Sequence, residues 1–233
     1  MVKQIIQGVY EISTRFGAAN AFLIDERDMT LIDTGPKGSS SKLEKLIREL
    51  GRSSGELGKI IITHCHFDHT GDVASLVEKT GASVAIHEAD ADYISKVDPY
   101  PAPKLGPLSW IWSRTLLPIL GSPPVDPDIQ LMHNYELDIL GGLRVIHTPG
   151  HTPGSICLYS QENRILFAGD VLRNSRSNIL LPYRLFTSDW AQAQRSLAEI
   201  AKLEIDTICF GHGETITHNA SDKLQELIMR YSV

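Results

Sequence analysis

The chain has 233 residues, 42% of them hydrophobic and 21% charged, with a net charge of −6. That size suits one domain spanning residues 1–233, and the acidic balance argues against a broadly basic nucleic-acid surface. Three cysteines, Cys65, Cys157 and Cys209, form neither a disulfide framework nor a metal-ligand spacing. With no apolar leader in residues 1–8, they set the expectation of a cytoplasmic protein. The most apolar stretch, 105–120, is broken by Arg114 and Pro118 and is too short to span a bilayer.

In chain order, residues 8–12 and 21–24 read as strands rich in β-branched and aromatic side chains. Residues 29–35 form an apolar strand that ends in an acidic turn at Asp33. Leu43, Leu46, Ile47 and Leu50 repeat at helical spacing, and Gly51 stops that helix. The run 59–63, with Ile60, Ile61 and Ile62 consecutive at its centre, reads as a strand buried on both faces. A helix from Asp72 to about Thr80 and a strand over 83–87 follow. Residues 98–127 hold Pro99, Pro101, Pro103, Pro107, Pro118, Pro123, Pro124 and Pro127, which defeat long helices and ladders. They read as an insert that folds over something. Strands at 143–146, 155–159, 164–168 and 206–210 then alternate with amphipathic helices marked by Trp190, Ala193, Leu197, Ile200 and by Leu224, Leu227, Ile228, Tyr231. Two similar halves of this kind predict two sheets packed face to face with helices outside.

The strongest chemical signal is His64-x-His66-x-Asp68-His69, directly after the buried run. Alternate residues of an extended segment face one way, so His64 and His66 can share an ion. Imidazole and carboxylate suit zinc, with iron or manganese as alternatives. His151 lies in a Gly/Pro-framed turn, Asp170 follows Ala168-Gly169, and His212 stands between Gly211 and Gly213. Each alone is weak; in order they reinforce one another.

The ordered set Asp33, His64-x-His66-x-Asp68-His69, His151, Asp170, His212 resembles the motif series of the metallo-β-lactamase superfamily. The resemblance runs from Asp33 to His212 and implies a mixed α/β, four-layer αββα sandwich. It implies two divalent ions, the first held by His64, His66 and His151. The second would be held by Asp68, His69 and His212, with Asp170 bridging. Asp33 resembles the acid that orients a ligand histidine. The implied chemistry is hydrolysis by a metal-bridging hydroxide, directed at an ester, lactone or thioester of a small or acyl-bearing molecule. Asp68 is by position a candidate donor to the leaving group.

Other residues carry weaker expectations. His87, His133, His147 and His218 fall outside the ligand pattern, and Cys65 should point away from the ions. Trp110 and Trp112 can line an apolar substrate pocket or lie buried in a homodimer interface. Tyr183 and Arg173 are substrate-contact candidates in the loop after Asp170. The segment 171–176 lacks the Gly/Cys/Arg-rich pattern of glyoxalase II-like thioesterases and persulfide dioxygenases, and Arg173 stands where acyl-homoserine lactonases have tyrosine. A mononuclear iron enzyme oxidising sulfur and a nuclease remain the alternative readings.

Overall fold

Alternation of side chains along the strands sets the layering. The structure is a computed structural model and describes residues 1–14, 18–98, 106, 109–111, 115 and 117–231. Among these, strands β1 (Val2–Ile6), β2 (Val9–Ile12), β3 (Ala21–Ile24) and β4 (Met29–Ile32) pair antiparallel. Strands β5 (Leu57–Ile62), β6 (Ser83–His87) and β7 (Ile129–Leu131) then add in parallel to complete a seven-stranded sheet. Parallel neighbours need crossovers. Helix α1 (Ser40–Glu49) joins β4 to β5, α3 (Val73–Thr80) joins β5 to β6, and α4 (Glu88–Ile94) leaves β6. The second sheet has the order β14-β11-β10-β9-β8. Its strands are β8 (Glu136–Leu137), β9 (Leu143–His147), β10 (Ile156–Ser160), β11 (Ile165–Phe167) and β14 (Thr207–Cys209), with α7 (Trp190–Ile200) before β14 and α8 (Ala220–Tyr231) after it.

The end of strand β5 shows why Ile60, Ile61 and Ile62 are all apolar. Ile60 and Ile62 face the helices, packing with Leu43, Leu46, Ile47, Val73, Leu76 and Ile94. Ile61 faces the other way, into the layer between the sheets, with Phe22, Ile32, Val145, Leu158 and Phe167. Phe22 and Phe167 meet there edge to face, centroids 5.4 Å apart. On the far side, Ile146, Cys157, Leu166 and Ile208 pack against Leu197, Ile200, Leu224 and Leu227. The expected αββα sandwich is the fold.

Several local details differ from the sequence reading. Asp72 precedes α3, yet its carboxylate accepts from Gly38 N and Ser40 N, at the start of α1. There its charge complements the helix dipole. Helix α4 escapes the sequence reading because its sequence, EADADYI, is acidic rather than periodic. Residues 173–180, read as loop, form a hairpin of β12 (Arg173–Ser175) and β13 (Asn178–Leu180). Its two-residue turn places Arg176 and Ser177 at φ 51° and 65°. That conformation normally selects Asn or Gly, so the usual hairpin signal is missing. In the proline-rich stretch the described helices are short, α5 (Ser109–Ile111) and α6 (Leu117–Leu120). Residues 99–105, 107–108, 112–114 and 116 lie outside the described residues. No helix among the described residues is long and apolar enough to cross a membrane.

Candidate metal centre

The chemical residues gather where strands end. Beyond the end of strand β5 the chain bends at Thr63 and His64 and continues through Cys65 and His66, and the single helical turn α2 (Phe67–Thr70) carries Asp68 and His69. The loop between β9 and β10 supplies His151. Asp170 follows β11 and His212 follows β14. These points share one rim because β11 and β14 are parallel neighbours and Ile156 N, at the start of β10, donates to Thr63 O (2.9 Å). Across the same rim, Asn20 Nδ2 donates to Phe210 O (3.1 Å) and Gly213 O (2.8 Å), which fixes the segment that carries His212.

Among the described residues, three groups of side-chain atoms that could hold a metal ion form, each within 4.8 Å of one another: His64, His66, His151; His64, His69, Asp170; and Asp68, His69, His212. Asp170 stands between them. Its Oδ2 lies 3.2 Å from His212 Nε2 and 3.5 Å from His151 Nε2, and its Oδ1 lies 3.3 Å from His69 Nε2. Asp68 Oδ2 is 3.4 Å from His212 Nε2, and His66 Nδ1 is 2.9 Å from His151 Nε2.

The outer ring nitrogens are held from behind. His69 Nδ1 is 2.7 Å from Asp33 Oδ2, and Asp33 also accepts from Thr63 N and Thr63 Oγ1, both at 2.8 Å. Asp33 is buried and takes φ 56°, which turns its carboxylate back under β5. His64 Nδ1 contacts Thr63 Oγ1 (3.1 Å), and His151 Nδ1 faces Thr187 Oγ1 (3.4 Å), a hydroxyl that itself donates to Tyr183 O. Such outer contacts fix imidazole orientation and aim the other nitrogen inward. His64 Nε2, His69 Nε2 and Asp170 Oδ1 are buried without a hydrogen-bond partner. Buried polar atoms are rarely left so, and cations held by these donors would satisfy them. The donor set therefore fits divalent metal.

Electrostatics divides the cluster in two. Burial pushes His64 well below its usual range, lowers His66 and takes His151 down to about 3, so these imidazoles are neutral and ready as ligands. Burial also opposes charge on His69, but Asp33 and Asp170 overcome it and raise that group to about 10. Against the same opposition, Asp170 and Asp68 raise His212 to about 11. Asp68 is held at about 2 despite burial, chiefly by its hydrogen bond to His212, and Asp170 falls well below the carboxylate range beside His212 and His69. A cation entering the second group displaces protons; one entering the first meets neutral ligands.

Gly211 is required by this crowding. A Cβ there would lie 2.4 Å from Asp170 Oδ1 and 2.8 Å from His69 Cε1. Cys65 is fully buried in the apolar cluster beneath the first sheet's helices, away from the ligand atoms, with its thiol pushed up by burial and by Asp90. His87 and His147 stack, centroids 3.8 Å apart, and their nitrogens engage the backbone at Ala89 N and Pro153 O. Neither they, nor His133, nor His218 joins a ligand group among the described residues.

Arg173 and Tyr183 come together at the rim: the guanidinium lies 4.2 Å from the Tyr183 ring centroid, and Arg173 Nε donates to Leu181 O (3.0 Å). Asn174 N donates to His212 O. Tyr183 is 55% exposed. Trp110 falls on α5, and Trp112 lies outside the described residues. Sequence reading missed Thr63, Thr187 and Asp90. Only Thr63, wedged between the apolar run and His64, carried a positional hint.

Residues 14–212 match the family model of the metallo-β-lactamase superfamily, and the chain belongs to that superfamily. A metallo-β-lactamase family protein from Thermus thermophilus shares the fold, with a TM-score of 0.76 at 24% identity, covering 98% of this chain and 81% of that one. A probable metallo-hydrolase of Bacillus subtilis (YflN) is 28% identical over 97% of this chain and 92% of its own length. The acyl-coenzyme A thioesterase MBLAC2 of Gallus gallus is 31% identical over 90% of this chain and 79% of its own length. Within the superfamily the chain is a metallo-hydrolase.

Proposed function

We propose that this chain is a binuclear hydrolase, zinc being its first-choice metal, that cleaves acyl thioesters, with esters and lactones of similar shape as secondary substrates. The observation that carries the reading is Asp170, whose two oxygens face His69, His212 and His151 at 3.2–3.5 Å, as a bridge between two ligand groups should. His64, His66 and His151 would hold the first ion; Asp68, His69 and His212 the second. Two such ions supply a water activated near neutral pH and a Lewis acid for the developing oxyanion. All seven ligands come from one chain, so the reading needs no partner copy.

The remaining work falls to the protein. Asp33 keeps His69 Nε2 turned inward, and the Thr187 hydroxyl does the same for His151. Arg173, packed on Tyr183, offers free guanidinium donors at the rim to an anionic substrate group. The thioester preference draws on the 31% identical relative named as an acyl-coenzyme A thioesterase. It also fits the leaving group. A thiol ionises near pH 8–9, so its anion departs with little help from a proton donor. Asp68 can then serve as a plain ligand.

The test begins with elemental analysis of protein purified without added metal. Acyl-coenzyme A thioesters, alkyl esters and lactones are then assayed. Two equivalents of metal and thioester turnover are expected. Asp170→Ala should abolish turnover while the fold survives. Retained turnover in that variant with two ions bound, or a single equivalent of iron in the parent, overturns the reading.

A further inference from the structure

We propose that Asp90, a residue outside the ligand motif, is the positioning residue of the first ion's three histidines. The inference rests on the ligand assignment above. Asp90 sits in the first turn of α4, beyond the end of β6, with none of its surface exposed. Its Oδ2 accepts from Cys65 N (2.9 Å) and Thr152 Oγ1 (2.7 Å), and its Oδ1 accepts from Gly154 N (2.6 Å). Cys65 is the residue between His64 and His66, and Thr152 directly follows His151. One carboxylate therefore fastens the strand-end loop that presents two histidines to the separate loop that presents the third.

The contact is built for closeness. A Cβ on Gly154 would fall 2.6 Å from Asp90 N and 2.7 Å from both Asp90 Cβ and Cγ, so only glycine lets the two segments approach this far. Thr152 is itself locked, its N donating to Ser155 Oγ at 2.9 Å and its hydroxyl lying 2.7 Å from the same atom. The helix that carries Asp90 is anchored in turn, because His87 Nδ1 accepts from Ala89 N at its start. An interior carboxylate that accepts from three separate donors costs desolvation. The two backbone donors, Cys65 N and Gly154 N, would otherwise be buried orphans, whereas the Thr152 hydroxyl also reaches Ser155 Oγ.

Labour is divided between two buried acids. Asp33 holds His69 of the second group and reaches the first only through Thr63. Asp90's hydrogen bonds go to residues beside first-group histidines, Cys65 between His64 and His66, and Thr152 and Gly154 after His151, and to none beside Asp68, His69 or His212. Its loss should accordingly fall on one ion, not on both. That asymmetry separates positioning from general structural support.

The experiment uses full-length protein stripped with a chelator and titrated with Co2+ against a competing chelator, followed by visible absorption. Two backgrounds isolate the ions: Asp68→Ala leaves the first group intact, and His66→Ala leaves the second. Asp90→Asn is expected to weaken Co2+ binding by about 10–100-fold in the Asp68→Ala background and to shift its absorption band. In the His66→Ala background it should change neither. Equal losses in both backgrounds, or none in either, overturn the proposal. If Asp90→Asn gives no cooperative melt, Thr152→Val replaces it, removing one donor to the same carboxylate. A weaker but still selective loss is expected, and a non-selective result is contrary. A parent that binds no Co2+ overturns the ligand assignment itself, and with it this role for Asp90. A parent that binds two ions with Asp90→Asn indifferent removes the role of Asp90 alone.

Discussion

Gly211 shows how little room the centre leaves. No side chain can stand where its missing Cβ would meet Asp170 Oδ1 at 2.4 Å, so Gly211→Ala must push the candidate bridging carboxylate aside. The expected outcome is a loss of hydrolysis by at least about 100-fold with the melting temperature little changed, because the displaced groups serve the site and not a hydrophobic cluster. Assay and thermal melt together check it. His87 offers a separate test. Burial, with His147 and His133 beside it, depresses its folded pKa to about 4, against the usual value near 6.5. The unfolded chain therefore binds this proton first. His87 contributes no pH dependence above about 6.5 and costs the parent stability progressively as pH falls towards about 4. His87→Asn keeps a capping side chain for α4 and removes the titration. Its urea midpoint should fall less steeply than the parent's across that window, and parallel curves would refute the assignment.

At the scale of elements, α7 illustrates what burial does for a helix. Leu197 and Ile200 lie on its inner face against the second sheet, Ala193 is buried beside Gly150, and Leu197 is fully buried. Leu197→Ala should cost about 2–5 kcal/mol, read from denaturant unfolding. This helix, α1 and α8 were legible because their apolar spacing is helical, and β5 because both its faces are covered. Helix α4 was not, since it rests on a few apolar contacts, Ala91, Tyr93 and Ile94, and on a histidine cap. Nor was the β12–β13 hairpin, whose turn uses Arg176 and Ser177 where Asn or Gly would announce it. The site divides the same way. His64, His66, Asp68 and His69 are neighbours in sequence, and His151, Asp170 and His212 stand beside glycine, proline or both, so their residue types and surroundings mark them. Thr187 and Asp90 act through contacts with residues far along the chain, and no local pattern marks such a role.

Among the described residues, the molecule is built on two large sheets, each with its own helix-covered cluster, that share the layer between them. One outer cluster draws all its residues from before β7, and the other all from after β8. Between those strands the chain crosses through Met132 and Tyr135, exposed by 56% and 42%. A break at this crossing would sever no strand, and each piece would keep a sheet and its helices. Yet His64, His66, Asp68 and His69 would remain on one piece and His151, Asp170 and His212 on the other. Two inert polypeptides, mixed, should find each other through the shared apolar layer and through the Asn20 bonds to Phe210 and Gly213. Hydrolysis would then report their reunion.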